Sequence, residues 1–233
     1  MQQVLIIGYG GIGAALAAHY QQQGAEVTVA SRQSPPADPQ LQWQQVDEQQ
    51  LAQPLPWLPA LLQQAPTLVI CTIGLLHDGA LQPEKSIRQL QAQQLAQVLH
   101  HNVTLPLLWL QQFAASIERS QPHKFLVLSA KVGSIADNQL GGWYSYRASK
   151  AALNMAVKTC AIELKRSGFR SLLVAVHPGT TDSNLSKPFQ RGLADGQLQT
   201  PAQTAARLAN VAAQLIPAQH GALLNWDGQV LPY

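Results

Sequence analysis

Tyr146 and Lys150 stand four positions apart, with Arg147, Ala148 and Ser149 between them. On a helix this spacing puts a phenol and an ammonium on one face, one turn apart. A phenol near pKa 10 is a poor acid–base group at neutral pH, and a nearby cation that favours the phenolate brings it toward working range. The plainer reading of the pair is a half-buried tyrosine with a lysine snorkelling beside it. No Gly-x-Ser-x-Gly elbow accompanies the pair, which argues against a hydrolase. The seven histidines (His19, His77, His100, His101, His123, His177 and His220) fall into no metal-ligand spacing.

A second motif lies near the start. Gly8, Gly10 and Gly13, with Tyr9, Gly11 and Ile12 between them, form a Gly-x-Gly-x-x-Gly string after an apolar run and before a helical pattern. Glycine dihedrals make the tight turn, and the bare backbone lets a pyrophosphate approach. The helix N-terminus then meets the anion with free amides and a positive dipole. The string is weak evidence alone, but in this context it reads as a dinucleotide loop. After the second apolar run stand Ser31 and Arg32, where a carboxylate would bind a free ribose 2′-hydroxyl. An arginine beside a hydroxyl favours a 2′-phosphate, so the expected cofactor is NADP(H).

These motifs need a frame that brings residues 8–13 close to residues 146–150. Apolar runs at 4–7, 27–30, 41–46, 67–72, 125–129, 172–176 and 222–226 read as about seven strands. Helical patterns cover 14–23, 83 to about 119, 145–166 and 201–215, the second expected to break at Pro106 or earlier. The stretch 53–66, with Pro54, Pro56, Pro59 and Pro66, reads as an irregular connection carrying a short helix. Such alternation predicts an α/β fold: one Rossmann-type, doubly wound parallel sheet with helices on both faces, in a single domain over 1–233.

Composition narrows the function further. Of 233 residues, 46% are hydrophobic and 12% charged, enough for a core and too few charges for a polyelectrolyte. Glutamine occurs 32 times and keeps the surface wet without charge. The net charge of +3 is scattered, with no basic patch for nucleic acid. Cys71 and Cys160 lie far apart among apolar neighbours, as buried thiols do in a reducing compartment. No apolar run approaches a membrane span, and the N-terminus lacks a basic n-region or cleavage site, so a cytoplasmic protein is expected.

The chain resembles the short-chain dehydrogenase/reductase family, its C-factor and sniffer-type carbonyl reductase branch, over nearly its full length. The likeness rests on the glycine loop, Asn102-Val103-Thr104, Gly133-Ser134-Ile135, the run from Gly141 to Asn154, the Pro178-Gly179 turn and Trp226-Asp227-Gly228. The resemblance implies that Tyr146 donates the proton to a carbonyl while Lys150 holds the nicotinamide ribose and lowers the tyrosine's pKa. It implies that Asn102 holds a water of the proton relay and that Asp47 contacts adenine. It places Cys71, Thr72, Ile73 and Gly74 beside the cofactor, and Pro178, Gly179, Thr180, Thr181 and Ser183 against its carboxamide and phosphates. Trp143, Tyr144, Leu140 and Phe189 would border the substrate, and residues 184–200 would form a short mobile lid over an open pocket. A homodimer or homotetramer is also implied.

Three departures stand out. The glycine loop is one residue shorter than is usual in the branch. Cys71 and Thr72 replace two asparagines, so hydrogen bonds between strands must be made otherwise there. Ala130 stands where the family carries the serine that binds the substrate carbonyl. Ser129 is the expected stand-in, with Ser134 the alternative. The sequence thus points to an NADPH-dependent reductase of a small aldehyde or ketone. The competing reading is an NADP(H)-binding signalling protein with weak or lost catalysis.

Overall fold

The computed structural model describes residues 2–38, 40–63, 67–194 and 196–233, so Pro66 and Asp195 of the segments above lie outside it. The first apolar run forms β1 (Gln3–Ile7), with all five residues buried. Continuous burial marks a parallel strand covered on both faces. Then follow α1 (Gly11–Gln22), β2 (Glu26–Ser31), β3 (Gln42–Gln45), α2 (Trp57–Leu62), β4 (Thr67–Cys71), α3 (Ala92–Leu99) and α4 (Leu105–Ser116). The second half comprises β5 (Lys124–Leu128), α5 (Tyr144–Arg166), β6 (Leu172–Val176), β7 (Thr180–Thr181), β8 (Leu198–Gln199), α6 (Pro201–Gln214), β9 (Leu223–Leu224) and β10 (Val230–Leu231).

Eight strands form one sheet in the order β3-β2-β1-β4-β5-β6-β9-β10, parallel except for the last pair. This is the expected doubly wound parallel sheet, with an antiparallel edge strand added. Alternate residues of each strand feed two cores. Leu5, Ile7, Val127 and Ala175 face the side of α4 and α5, whereas Val4, Ile6, Leu128 and Val176 face that of α1 and α6. The chain winds outward through β2 and β3 and returns to β4 beside β1. That reversal opens a crevice at the carboxyl ends of β1 and β4, where sheets of this kind bind ligands.

The helical stretch expected from 83 begins at Ala92, and it widens into a π turn at His100–Thr104 instead of breaking. Pro106 supplies the cause: it has no N–H, and its ring would strike the carbonyl four residues back, at Asn102. The wide turn relieves that clash where α4 takes over at Leu105, with Pro106 in its first turn. Among the described residues, no helix is long and apolar enough to cross a membrane.

Candidate active site

Two cavities open along the crevice. The first, of about 290 Å³, is lined by Gly8, Gly10, Ser31, Arg32, Asp47, Thr72, Ile73 and Gly74 among others. The turn that floors it is fixed by sterics. Gly8 has φ +93° and donates its N–H to the Ala30 carbonyl at 2.8 Å. A Cβ on Gly13 would lie 2.3 Å from the Gly8 carbonyl oxygen, whereas one on Gly10 would meet nothing within 4 Å. Helix α1 starts without a side-chain cap or an acidic residue in its first turn. Its N-terminal amides are therefore free for an external anion. Open backbone at Gly10, uncapped amides and the adjoining cavity together fit a dinucleotide.

At the far end of this cavity Arg32 is exposed and makes no ion pair among the described residues. The Ser31 hydroxyl accepts the Gln33 N–H at 3.2 Å. Asp47 caps the short turn after β3, its carboxylate accepting the Gln50 N–H at 3.0 Å, and it lines the cavity. Thr72 makes the link between strands that the missing asparagines raised. Its N–H and hydroxyl both reach the Ile7 carbonyl, at 2.8 and 3.0 Å. Cys71 is fully buried in the core below the cleft and does not line it, and burial raises its thiol pKa to about 11.

The second cavity, of about 280 Å³, is lined by Ile12, Ser129, Ala130, Tyr146, His177 and every residue of the Pro178–Thr181 turn, with Ser183. Tyr146 and Lys150 lie on one face of α5 as their spacing requires, with Lys150 Nζ 5.8 Å from the centre of the Tyr146 ring. Lys150 is buried and donates to the Leu128 carbonyl at 3.0 Å. Burial moves both groups against ionisation. It pushes the Tyr146 phenol above its usual range and the Lys150 ammonium down to about 8. No group among the described residues hydrogen-bonds the Tyr146 hydroxyl.

Asn102 sits fully buried in the π turn. Its side chain accepts the Leu75 N–H at 2.7 Å and donates to the Leu75 carbonyl at 2.8 Å and to Ser149 Oγ at 2.9 Å. The side chain therefore clamps the loop after β4 to α5. Gly74 packs against it: a Cβ there would lie 3.8 Å from Asn102 Oδ1 and 3.6 Å from Lys150 Nζ.

Ser129 reaches the second cavity, but its hydroxyl donates to Asn154 Oδ1 at 2.6 Å, so its one proton is committed. Ser134 is buried away from the cavity, where its oxygen accepts the Asp137 N–H at 3.1 Å. Ala130 packs against Tyr146 and Leu76 in the position itself. Trp143 and Phe189 do border the cavity, with ring centres 5.0 Å apart. Leu140 is 91% exposed, and neither it nor Tyr144 lines the cavity, which corrects that part of the reading. The segment 184–200 is tied at its base, β7 pairing with β8 and the Asp182 N–H donating to the Gln199 carbonyl at 2.7 Å.

Two structural features escaped the sequence reading. Glu84 is buried and caps α5 from another part of the chain, its carboxylate accepting the Ser145 N–H at 3.1 Å and the Ser145 hydroxyl. Its carbonyl also accepts the Trp143 N–H at 2.5 Å. This grip holds Trp143 at φ +52°, a strained value for a non-glycine residue, just before Tyr146. A partner 61 residues away leaves no local signal. The other is His177, fully buried at Nδ1 without a partner.

Against known proteins, residues 2–194 match the family model described as short chain dehydrogenase. The C-signal of Myxococcus xanthus is 34% identical over 106 residues, covering 46% of this chain and 58% of that protein. The chain spans about half the length of the curated relatives it matches. Among solved structures, the carbonyl reductase Sniffer of D. melanogaster superposes with a TM-score of 0.80 at 20% identity, over 100% of both chains. An NADPH-bound carbonyl reductase from chicken fatty liver gives 0.79 at 23%, over 100% of this chain and 99% of that one. The structural likenesses carry the fold, and the match over 2–194 carries the family: the chain belongs to the short-chain dehydrogenases.

Proposed function

We propose that the chain is an NADP(H)-dependent oxidoreductase that reduces the carbonyl group of a small aldehyde or ketone. The observation that carries this reading is Tyr146: among the described residues its hydroxyl has no hydrogen-bond partner, its side chain lines the second cavity, and it lies one helical turn from a buried cation. Arg32, exposed and without an ion pair among the described residues, stands beside Ser31 and suits a 2′-phosphate, and the solved chicken carbonyl reductase holds NADPH. When bound, NADPH supplies a hydride from C4 of its nicotinamide. The Gly8–Gly13 turn and the amides of α1 would hold its pyrophosphate, and Asp47 would meet its adenine. Pro178, Gly179, Thr180, Thr181 and Ser183 would border its other end.

In this reading Tyr146 gives its proton to the carbonyl oxygen as charge develops there, and Lys150 stabilises the phenolate left behind. Trp143, Phe189 and Leu76 make the substrate wall mainly apolar, which suits a flat or short-chain carbonyl compound. Two exposed apolar side chains two turns apart on α5, Met155 and Ile162, favour pairing with a second copy, as a homodimer or homotetramer. Ala130 and the committed Ser129 favour the second reading, a nucleotide-binding signalling protein. The test follows NADPH consumption by the purified protein over aldehydes, diketones and quinones, with NADH run in parallel. The reductase reading expects turnover, faster with NADPH, and the signalling reading expects tight NADPH binding with none.

A further inference from the structure

We infer that His177 is a catalytic residue whose neutral Nε2–H donates a hydrogen bond to the substrate carbonyl oxygen, in place of the serine that Ala130 has displaced. The inference rests on the reductase reading and adds to it the group that polarises the carbonyl.

The sheet places His177 next to the vacated position. Leu128 pairs with Val176, and the Ser129 N–H donates to the Val176 carbonyl at 2.8 Å, so Ser129 and His177 continue β5 and β6 side by side. Val127 and Ala175 face the α5 side of the sheet, and Leu128 and Val176 face the other. By alternation, Ser129 and His177 both turn back toward α5. The contact of Ser129 with Asn154 on α5 agrees with that direction. His177 lines the same cavity as Ala130 and Tyr146.

The chemistry of the ring supports the role. Among the described residues, His177 Nδ1 is the one fully buried side-chain nitrogen or oxygen without a hydrogen-bond partner. Such orphans are rare and call for an explanation. As an N–H, Nδ1 would be a buried donor with no acceptor, so the proton belongs on Nε2. Burial and the nearby Lys131 cation lower the imidazole pKa to about 4, which keeps the ring neutral at working pH. Three other hydroxyls of the cavity are engaged: Ser129 is committed to Asn154, Thr181 is paired with Thr204 at 2.8 Å and Ser186 donates to the Thr181 carbonyl, while Thr180 and Ser183 lie on the turn assigned to the cofactor.

Two measurements test this. Nitrogen-15 NMR at pH 7, with His177→Leu used for assignment, reads the tautomer without any turnover. The expected result is a proton on Nε2, and a proton on Nδ1 overturns the proposal. Kinetics of His177→Leu, Ala130→Ser and the double variant, with NADPH affinity and Tm alongside, read the role. His177→Leu is expected to lower kcat about 100-fold. NADPH affinity should stay within twofold, and Tm should hold or rise because an unmatched buried nitrogen is gone. Ala130→Ser should recover at least tenfold in that background. Full turnover in His177→Leu overturns the proposal, as does a loss that Ala130→Ser leaves unrepaired while Tm falls. Tyr146→Phe, run in the same series, separates the two readings. If it alone is inactive, only the His177 proposal fails. If it turns over normally, the reductase reading falls as well.

Discussion

At the scale of single residues, the site is dominated by desolvation. Burial holds the Tyr146 phenol protonated well past neutrality and brings the Lys150 ammonium down to about 8, so the lysine loses its charge first as pH rises. Carbonyl reduction needs both a protonated phenol and a cation to stabilise the phenolate formed. Reductive kcat should therefore be level at neutral pH and decline as pH passes through about 8. A rate that stays level beyond pH 9.5 would show that the cation is dispensable. Tyr146 and Lys150 were legible in the sequence because their relation is local, four residues on one helix. The commitment of Ser129 to Asn154 was not, because it joins the end of β5 to the middle of α5 across 25 positions. Likewise Thr72 replaces lost asparagine contacts by bonding Ile7, 65 positions away.

At the scale of elements, each end of the site is set by a turn that tolerates little change. The glycine turn is the clearest case. A methyl group on Gly13 would press on the backbone oxygen of Gly8, which cannot rotate away, whereas one on Gly10 would point into open space. Gly13→Ala should cost about 1–3 kcal/mol of stability and weaken NADPH binding at least tenfold. Gly10→Ala should keep its stability and lose affinity only, because its methyl would occupy the phosphate's approach. Chemical denaturation and NADPH titration of both variants would decide, and equal stability losses would contradict the steric account. The strand–turn–helix pattern made this element readable from the sequence. The π turn at His100–Thr104 was readable only as a break near Pro106. The proline signals that regular hydrogen bonding must fail, but not how the helix accommodates it.

At the scale of the whole molecule, the parallel sheet follows from strand–helix alternation, while the added antiparallel β10 and the detached β7–β8 pair depend on two-residue strands too short to show a period. Stability has a further global feature in its wholly or partly buried neutral histidines. His220 accepts the Leu173 N–H at Nδ1 and contacts the Ala161 carbonyl through Nε2, and His123 likewise accepts the Thr67 N–H. Protonation removes each acceptor. Burial lowers the pKa of His123, His177 and His220 below the ordinary 6.5, that of His177 to about 4. The unfolded chain therefore takes up these protons first as pH falls. Their contribution is fully present above about pH 6.5 and is lost toward pH 4. Carboxylate pairs add little in that window, since the two ion pairs among the described residues involve partly exposed side chains. The urea midpoint should be steady from pH 8 to 7 and fall progressively below 6.5, and a midpoint unchanged down to pH 4.5 would contradict this.

In the proposed reaction a hydride passes to a carbonyl carbon with Tyr146 as the acid. The most direct measurement follows deuterium from NADPH labelled at nicotinamide C4 into the alcohol product, in the unaltered protein and in Tyr146→Phe. Deuterium is expected on the former carbonyl carbon, with the rate of transfer falling at least about 100-fold in the variant while NADPH still binds. Transfer at an undiminished rate in Tyr146→Phe, or tight NADPH binding with no deuterium in any product, would contradict it.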